Sequence, residues 1–129
     1  MADDVINHVQ NDLRPKRVLT LTDENDVPVD LTIGGVSSIQ MHMRENGSDE
    51  LKATVQCTML SGVVQADGTV SYAPPYDVAG RGGRIQIEWT LLSVDTAGVF
   101  EGEFELVFGD GSTQTTFKTT TINIRDDIG

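Results

Sequence analysis

The sequence predicts an all-β domain, an antiparallel immunoglobulin-like β-sandwich of 7–8 strands with a short N-terminal arm. Three observations predict it. Between turns, apolar and polar residues alternate with period two, so that one face of each strand is apolar. Turn signals built from Gly, Asn, Asp and Pro recur at short intervals. No stretch of helical period is long enough to form a core helix. The Cys and Trp spacing of antibody domains is absent, so this likeness is one of architecture.

Composition sets the outer limits. At 129 residues the chain is one domain with no internal repeat, long enough to bury a core without disulfides or a metal. Nine Lys and Arg against 20 Asp and Glu give a formal charge of −11. Such a surface repels nucleic acid and anionic membranes, and neither is expected as a partner. Cys57 is the only cysteine, which excludes an intrachain disulfide; its parity places it on an apolar face as an inert thiol. No apolar run approaches the ~18 residues of a membrane span. The start MADDVINHVQND lacks the basic and apolar regions of a secretory signal, so use without export by that route is expected.

The elements follow in chain order. Residues 1–13 read as an arm, with Val5, Ile6, Val9 and Leu13 spaced for one face of a short helix, either a frayed tail or a segment that orders only against a neighbouring subunit. Arg14, Lys16 and Arg17 form a basic root around Pro15. The domain proper is placed at 14–129. Its first strand is 17–22, with Leu19 and Leu21 inward. The Asp23–Asp26 turn departs from a calcium loop, since Val27 and Pro28 stand where an oxygen ligand and Gly are needed. Val27–Leu31 resumes extended. In Val36–Arg44, Ile39, Met41 and Met43 face inward. A three-residue loop at Asn46–Ser48 then sets Met43 opposite Leu51 and Met41 opposite Ala53, keeping both apolar faces together. A hairpin is expected within Val63–Tyr72. Ala73–Gly83, rich in Pro and Gly, reads as an exposed loop, and Tyr76, Arg81 and Arg84 are contact-prone residue types in or beside it. Arg84–Leu92 is a strand with Ile85, Ile87, Trp89 and Leu91 inward, and Thr120–Arg125 closes the sheet through Ile122 and Ile124.

Thr96–Thr119 carries the strongest pattern. Phe100, Gly102, Phe104, Leu106 and Phe108 share one face, and Glu101, Glu103 and Glu105 the other. A two-residue loop at Asp110-Gly111 pairs Phe104 with Phe117, Leu106 with Thr115, and Glu103 with Lys118.

No catalytic, cofactor-binding or metal-ligating residue is expected. His8 and His42 have no Cys or carboxylate at metal-ligand spacing, and no nucleophile motif accompanies them. The glutamates of 101–105 lie ~6.6–7 Å apart, a separation used in glycoside hydrolysis, but on a flat outward face.

Two stretches, L-T-L-T-D to P-V-D-L-T (19–32, followed by Ile39–Arg44) and D-T-A-G-V-F-E-G-E-F (95–104, with Asp110-Gly111 and the 125–129 end), resemble a known group. The chain is similar over residues 14–129 to the immunoglobulin-like domain of tailed-bacteriophage virion proteins, of the type at the N-terminus of baseplate upper proteins. The likeness implies a non-enzymatic virion structural protein of the baseplate, tail, neck or capsid surface, assembled in the bacterial host cytoplasm. It implies other virion proteins as partners, including portal-proximal ones, a symmetric multimer on the particle, and a role in anchoring fibres or decorating the capsid. The chain departs from the group in the 73–83 loop before Trp89 and in ending after one domain. A second reading is a host-surface or carbohydrate-binding module using Tyr72, Tyr76, Arg81 and Trp89.

Overall fold

The computed structural model describes residues 5–116 and 119–128. The protein is all-β, as the alternation predicts. Its strands are β1 (Val5–Val9), β2 (Arg17–Thr20), β3 (Val36–Glu45), β4 (Leu51–Met59), β5 (Val63–Val64), β6 (Val70–Ser71), β7 (Arg84–Ile87), β8 (Gly98–Phe108), β9 (Thr113–Thr115) and β10 (Thr120–Arg125), with one helical turn, α1 (Leu91–Val94). Seven strands form one continuous sheet in the order β1-β10-β8-β3-β4-β7-β2, β9 joins β8, and β5 and β6 form a separate hairpin. The sheet curls until its two edges nearly meet: Arg17 Nη2 on β2 donates to the Asn7 carbonyl on β1 at 2.5 Å. The His8 and Trp89 rings lie with centroids 4.7 Å apart across the same seam.

The inward-facing residues fill this nearly closed curl. Met41, Met43, Val55, Ile85, Ile87, Phe104 and Ile122 are completely buried, and Leu21, Leu31 and Val94 close its ends. Burial of this apolar surface is the main stabilising term. Gly102 is needed on β8 because a Cβ there would stand 2.7 Å from Met41 Sδ and 3.2 Å from Ile122 Cδ1, inside van der Waals contact.

The arm is a strand, not a helix. β1 runs parallel to β10, pairing Val5 with Thr121 through Val9 with Arg125, so the sheet is mixed and not wholly antiparallel. Val, Ile, Asn and His gain little as an isolated helical turn or two, whereas a ready β10 edge supplies every second residue with a core and the backbone with a ladder. Ile6 and His8 point inward, while Val5 and Leu13, expected on one face with Ile6, are exposed.

Both central hairpins differ in register from expectation. In β3–β4, Met43 opposes Ala53 and Met41 opposes Val55; a bulge then sets Arg44 against Leu51. The shift is two residues, so the inward faces survive, and only Leu51 is turned out to solvent. In β8–β9, Leu106 opposes Gln114, not Thr115. The loop is Gly109–Gly111, closed by Phe108 N donating to Ser112 O at 2.9 Å. Gly111 adopts φ of 88°, the left-handed residue that ends a three-residue loop. Phe104 is matched there by Thr116, whose N donates to the Phe104 carbonyl at 2.8 Å. The pairs expected for Phe117 and Lys118 lie outside the described residues.

One further expectation is corrected. The strand from Arg84 ends at Ile87; Thr90 caps α1 through a reciprocal bond with Ser93, and Leu91 points outward while Trp89 stays buried. The 73–83 segment is a loop without helix or strand, exposed over most of its length as expected, and backbone bonds anchor it. Gly62 N donates to Tyr76 O, Gly80 N to Leu60 O, Leu31 N to Gly80 O and Leu21 N to Gly83 O, at 2.7–3.0 Å. Gly82 packs so closely that a Cβ would lie 2.2 Å from Gly62 O, which explains why Gly stands there.

Candidate functional site

Alternation puts one polar row on the outer face of β3, β4, β8 and β7, and its side chains engage one another. Glu105 Oε1 accepts from Gln40 Nε2 at 2.7 Å and lies 3.2 Å from His42 Nε2, while His42 Nδ1 lies 3.0 Å from Thr54 Oγ1. These bonds, Gln40 first and His42 second, hold the Glu105 carboxyl below its ordinary range. Arg44 donates to Glu101 through Nε and Nη2, both at 2.9 Å. On the next strands, Lys16 Nζ meets Glu88 Oε1 at 2.7 Å, and Gln86 and Thr58 donate to Glu88 Oε2. The Lys16 bond above all draws the Glu88 carboxyl down to about 2.

The order Glu105, His42, Thr54 has the acid–base–hydroxyl sequence of a nucleophile triad, which sequence spacing did not disclose because the three sit on three strands. Its surroundings differ from such a site. The residues lie on an open sheet face, with Gln40, Gln56 and Glu103 as neighbouring outward side chains and, among the described residues, no enclosing pocket wall built around Thr54. The row acts as a cross-strand ladder that fixes register. Among the described residues no group of three or more His, Cys, Asp or Glu is placed to hold a metal ion.

The expected interaction residues separate to the two ends of the curl. Antiparallel pairing places Arg17 opposite Ile87 and Thr20 opposite Arg84, so the basic root and the 73–83 segment lie at opposite ends of β7. Arg14 is exposed. Lys16 and Arg17 are engaged with Glu88 and Asn7. At the far end, Arg81 Nε pairs with Asp30 Oδ2 at 3.1 Å, and Arg84 Nη1 donates to Ser61 O at 2.6 Å. Tyr76 is half-buried and Tyr72 exposed. Trp89 does not join them: it is buried at the root end, where Nε1 donates to Pro15 O at 3.2 Å. The grouping of Tyr72, Tyr76, Arg81 and Trp89 into one binding surface is thereby corrected.

The root end carries a feature that sequence reasoning missed. Leu13, Leu51, Leu91, Leu92 and Val99 are all exposed there. Asn46 N donates to Val99 O at 3.0 Å, Asn11 N donates to Val94 O at 2.8 Å, and Lys52 pairs with Asp95, so the loop after β3, the 10–13 segment, α1 and the start of β8 are tied together. Val9, half-buried at the end of β1, and Ile6 beneath it support the sheet behind this surface. The Thr90–Ser93 cap was the available signal, since it ends the strand before Leu91 and turns the leucine pair outward. No protein-family model matches this chain, and no curated protein matches it.

Proposed function

We propose that this chain is a non-enzymatic structural component of a tailed-bacteriophage virion, an immunoglobulin-like domain that docks to other virion proteins at the baseplate, tail, neck or capsid surface. The observation that carries the reading is strand connectivity. Taken in chain order, β2, β3, β4, β7, β8 and β10 have the neighbours β2-β7-β4 and β3-β8-β10. Those are the neighbours of strands B to G of an immunoglobulin sandwich, B-E-D in one layer and C-F-G in the other. On this reading β4 links the layers through its hairpin with β3, and β1 lies beside the last strand.

The resemblance adds the virion setting, and its motif residues have structural duties consistent with a shared scaffold. Asp23 Oδ1 accepts from Asn25 N and Val27 N, Thr22 bridges Pro28, and Asp30 Oδ1 accepts from Thr32 N. The exposed leucines of the root end supply an apolar docking surface, repeated around the particle's symmetry axis. Particles purified from a host encoding the chain are expected to contain it by mass spectrometry. The double substitution Leu91→Glu, Leu92→Glu is expected to leave the circular dichroism spectrum unchanged and to abolish incorporation. Particles that lack the chain altogether overturn the reading; full incorporation of the double variant overturns the docking surface.

A further inference from the structure

The edge of β8 is shared by two strands: β10 covers it along Gly98–Gly102 and β9 along Glu105–Val107. Beyond β10 the sheet continues to β1, but β9 lies off that path, with no further strand paired to it among the described residues. At the β9 end the seam of the curl therefore stays open. A cleft of about 240 Å³ lies between β9 and the segment Leu21–Val29.

Three independent features describe what would fill it. The first is a free strand edge. Phe108 N bonds Ser112 O and Thr116 N bonds Phe104 O, so residues 112, 114 and 116 turn their backbone groups toward β8. Strand alternation then turns the N–H and C=O of Thr113 and Thr115 outward, and both residues are exposed. The second is an apolar floor of Leu21, Val29 and Leu106, beside which Thr22, 5% exposed, keeps a buried Oγ1 with no hydrogen-bond partner among the described residues. The third is charge. Asp23 and Glu24 line the cleft, in a chain of net charge −11.

We propose that this slot docks an extended segment of another protein, added as a strand to β9, with an apolar side chain on the Leu21, Val29, Leu106 floor and a lysine or arginine beside Asp23 and Glu24. Main-chain bonds to Thr113 and Thr115 provide the attachment, and side-chain alternation delivers every second residue to the floor. The occupant is another protein: the slot asks for an uncommitted lysine or arginine on an extended segment, whereas Lys16 and Arg17 of this chain's own basic cluster are engaged with Glu88 and Asn7. The inference concerns this slot alone and holds whether or not the chain serves in a virion.

The full chain, labelled with ¹⁵N, is titrated with the capped peptide Lys-Thr-Val-Thr-Val-Thr-Lys, with the same peptide N-methylated at alternate residues, and with a version carrying Glu in place of both Lys. Saturable shifts are expected at Thr22, Leu106 and Thr113–Thr116 with the first peptide only. Glu24→Gln should weaken binding about fivefold, the effect of losing one exposed charge contact. Thr115→Pro removes one outward N–H, leaves the ladder to β8 intact, and should abolish binding with an unchanged melting temperature. Absence of shifts at the slot, equal binding of the N-methylated peptide, or undiminished binding by folded Thr115→Pro overturns the proposal. If Thr115→Pro does not fold, the N-methylated peptide makes the same test on the unaltered chain.

Discussion

Glu88 shows how a polar outer face stabilises this fold and when it stops doing so. Its carboxyl is lowered from 4.5 to about 2 by Lys16 first and then by Gln86 and Thr58. A depressed carboxyl binds its proton more readily in the unfolded chain, so its contribution is complete above pH 4.5 and is lost as pH falls toward about 2. Asp30, Asp67, Asp95, Glu105 and Asp110 are lowered in the same sense by their turn and cross-strand bonds. Glu88→Gln is expected to cost about 1 kcal/mol at pH 7 and almost nothing at pH 2, by urea unfolding at each pH. Cys57 is the opposite case. Burial first, and the Glu88 charge second, raise its thiol to about 12. Alkylation by iodoacetamide at pH 8 should be far slower in the native protein than in urea, and an equal rate would refute the placement. Cys57 was legible from parity alone, because a strand residue in phase with Ala53 and Val55 has one direction to point. His8 was not, since its burial depends on β1 reaching across the seam to Trp89, a contact 81 positions away in the chain.

At the scale of elements, face was readable and register was not. Every residue assigned inward on β3, β8 and β10 is buried or half-buried. Two-residue and three-residue loops carry the same Asp-Gly and Asn-Gly signals, and only the backbone bond that closes the loop separates them. That ambiguity moved β9 by one residue, whereas the two-residue shift of β4 includes the bulge between Met43 and Arg44. The arm failed for another reason. Spacing of Val5, Ile6, Val9 and Leu13 fits a helix, yet a five-residue segment adopts the structure its neighbour offers, here the open edge of β10. Ile6→Ala should therefore destabilise the whole sheet, by about 2 kcal/mol. It should also shift Trp89 emission to the red as the seam over the indole loosens. An unchanged melting temperature and spectrum would show that β1 does not pack as described.

Across the whole molecule, exposed apolar side chains occur at both ends of the curl, with Val27, Ile33, Val64, Tyr72 and Val78 away from the root end. The outer sheet face is laced by its own bonds, whereas the root end presents Leu13, Leu51, Leu91, Leu92 and Val99 without cover among the described residues. The root-end group was invisible in the sequence because its five residues come from four separate segments, and Leu13, Leu51 and Leu91 each read as apolar-face residues on their own. The parallel pairing of β1 with β10 has a mechanical meaning. Because the two strands run the same way, β1 is entered at one end of the ladder and β10 is left at the other. Tension applied through the segments flanking these strands loads all five register pairs together in shear, and none can yield ahead of the rest. Single-molecule extension through those flanks should thus require more force than extension through β3 and β4, whose hairpin opens one bond at a time. A body whose first and last strands meet in shear is built like a link, and its strength lies in the seam that its first strand closes.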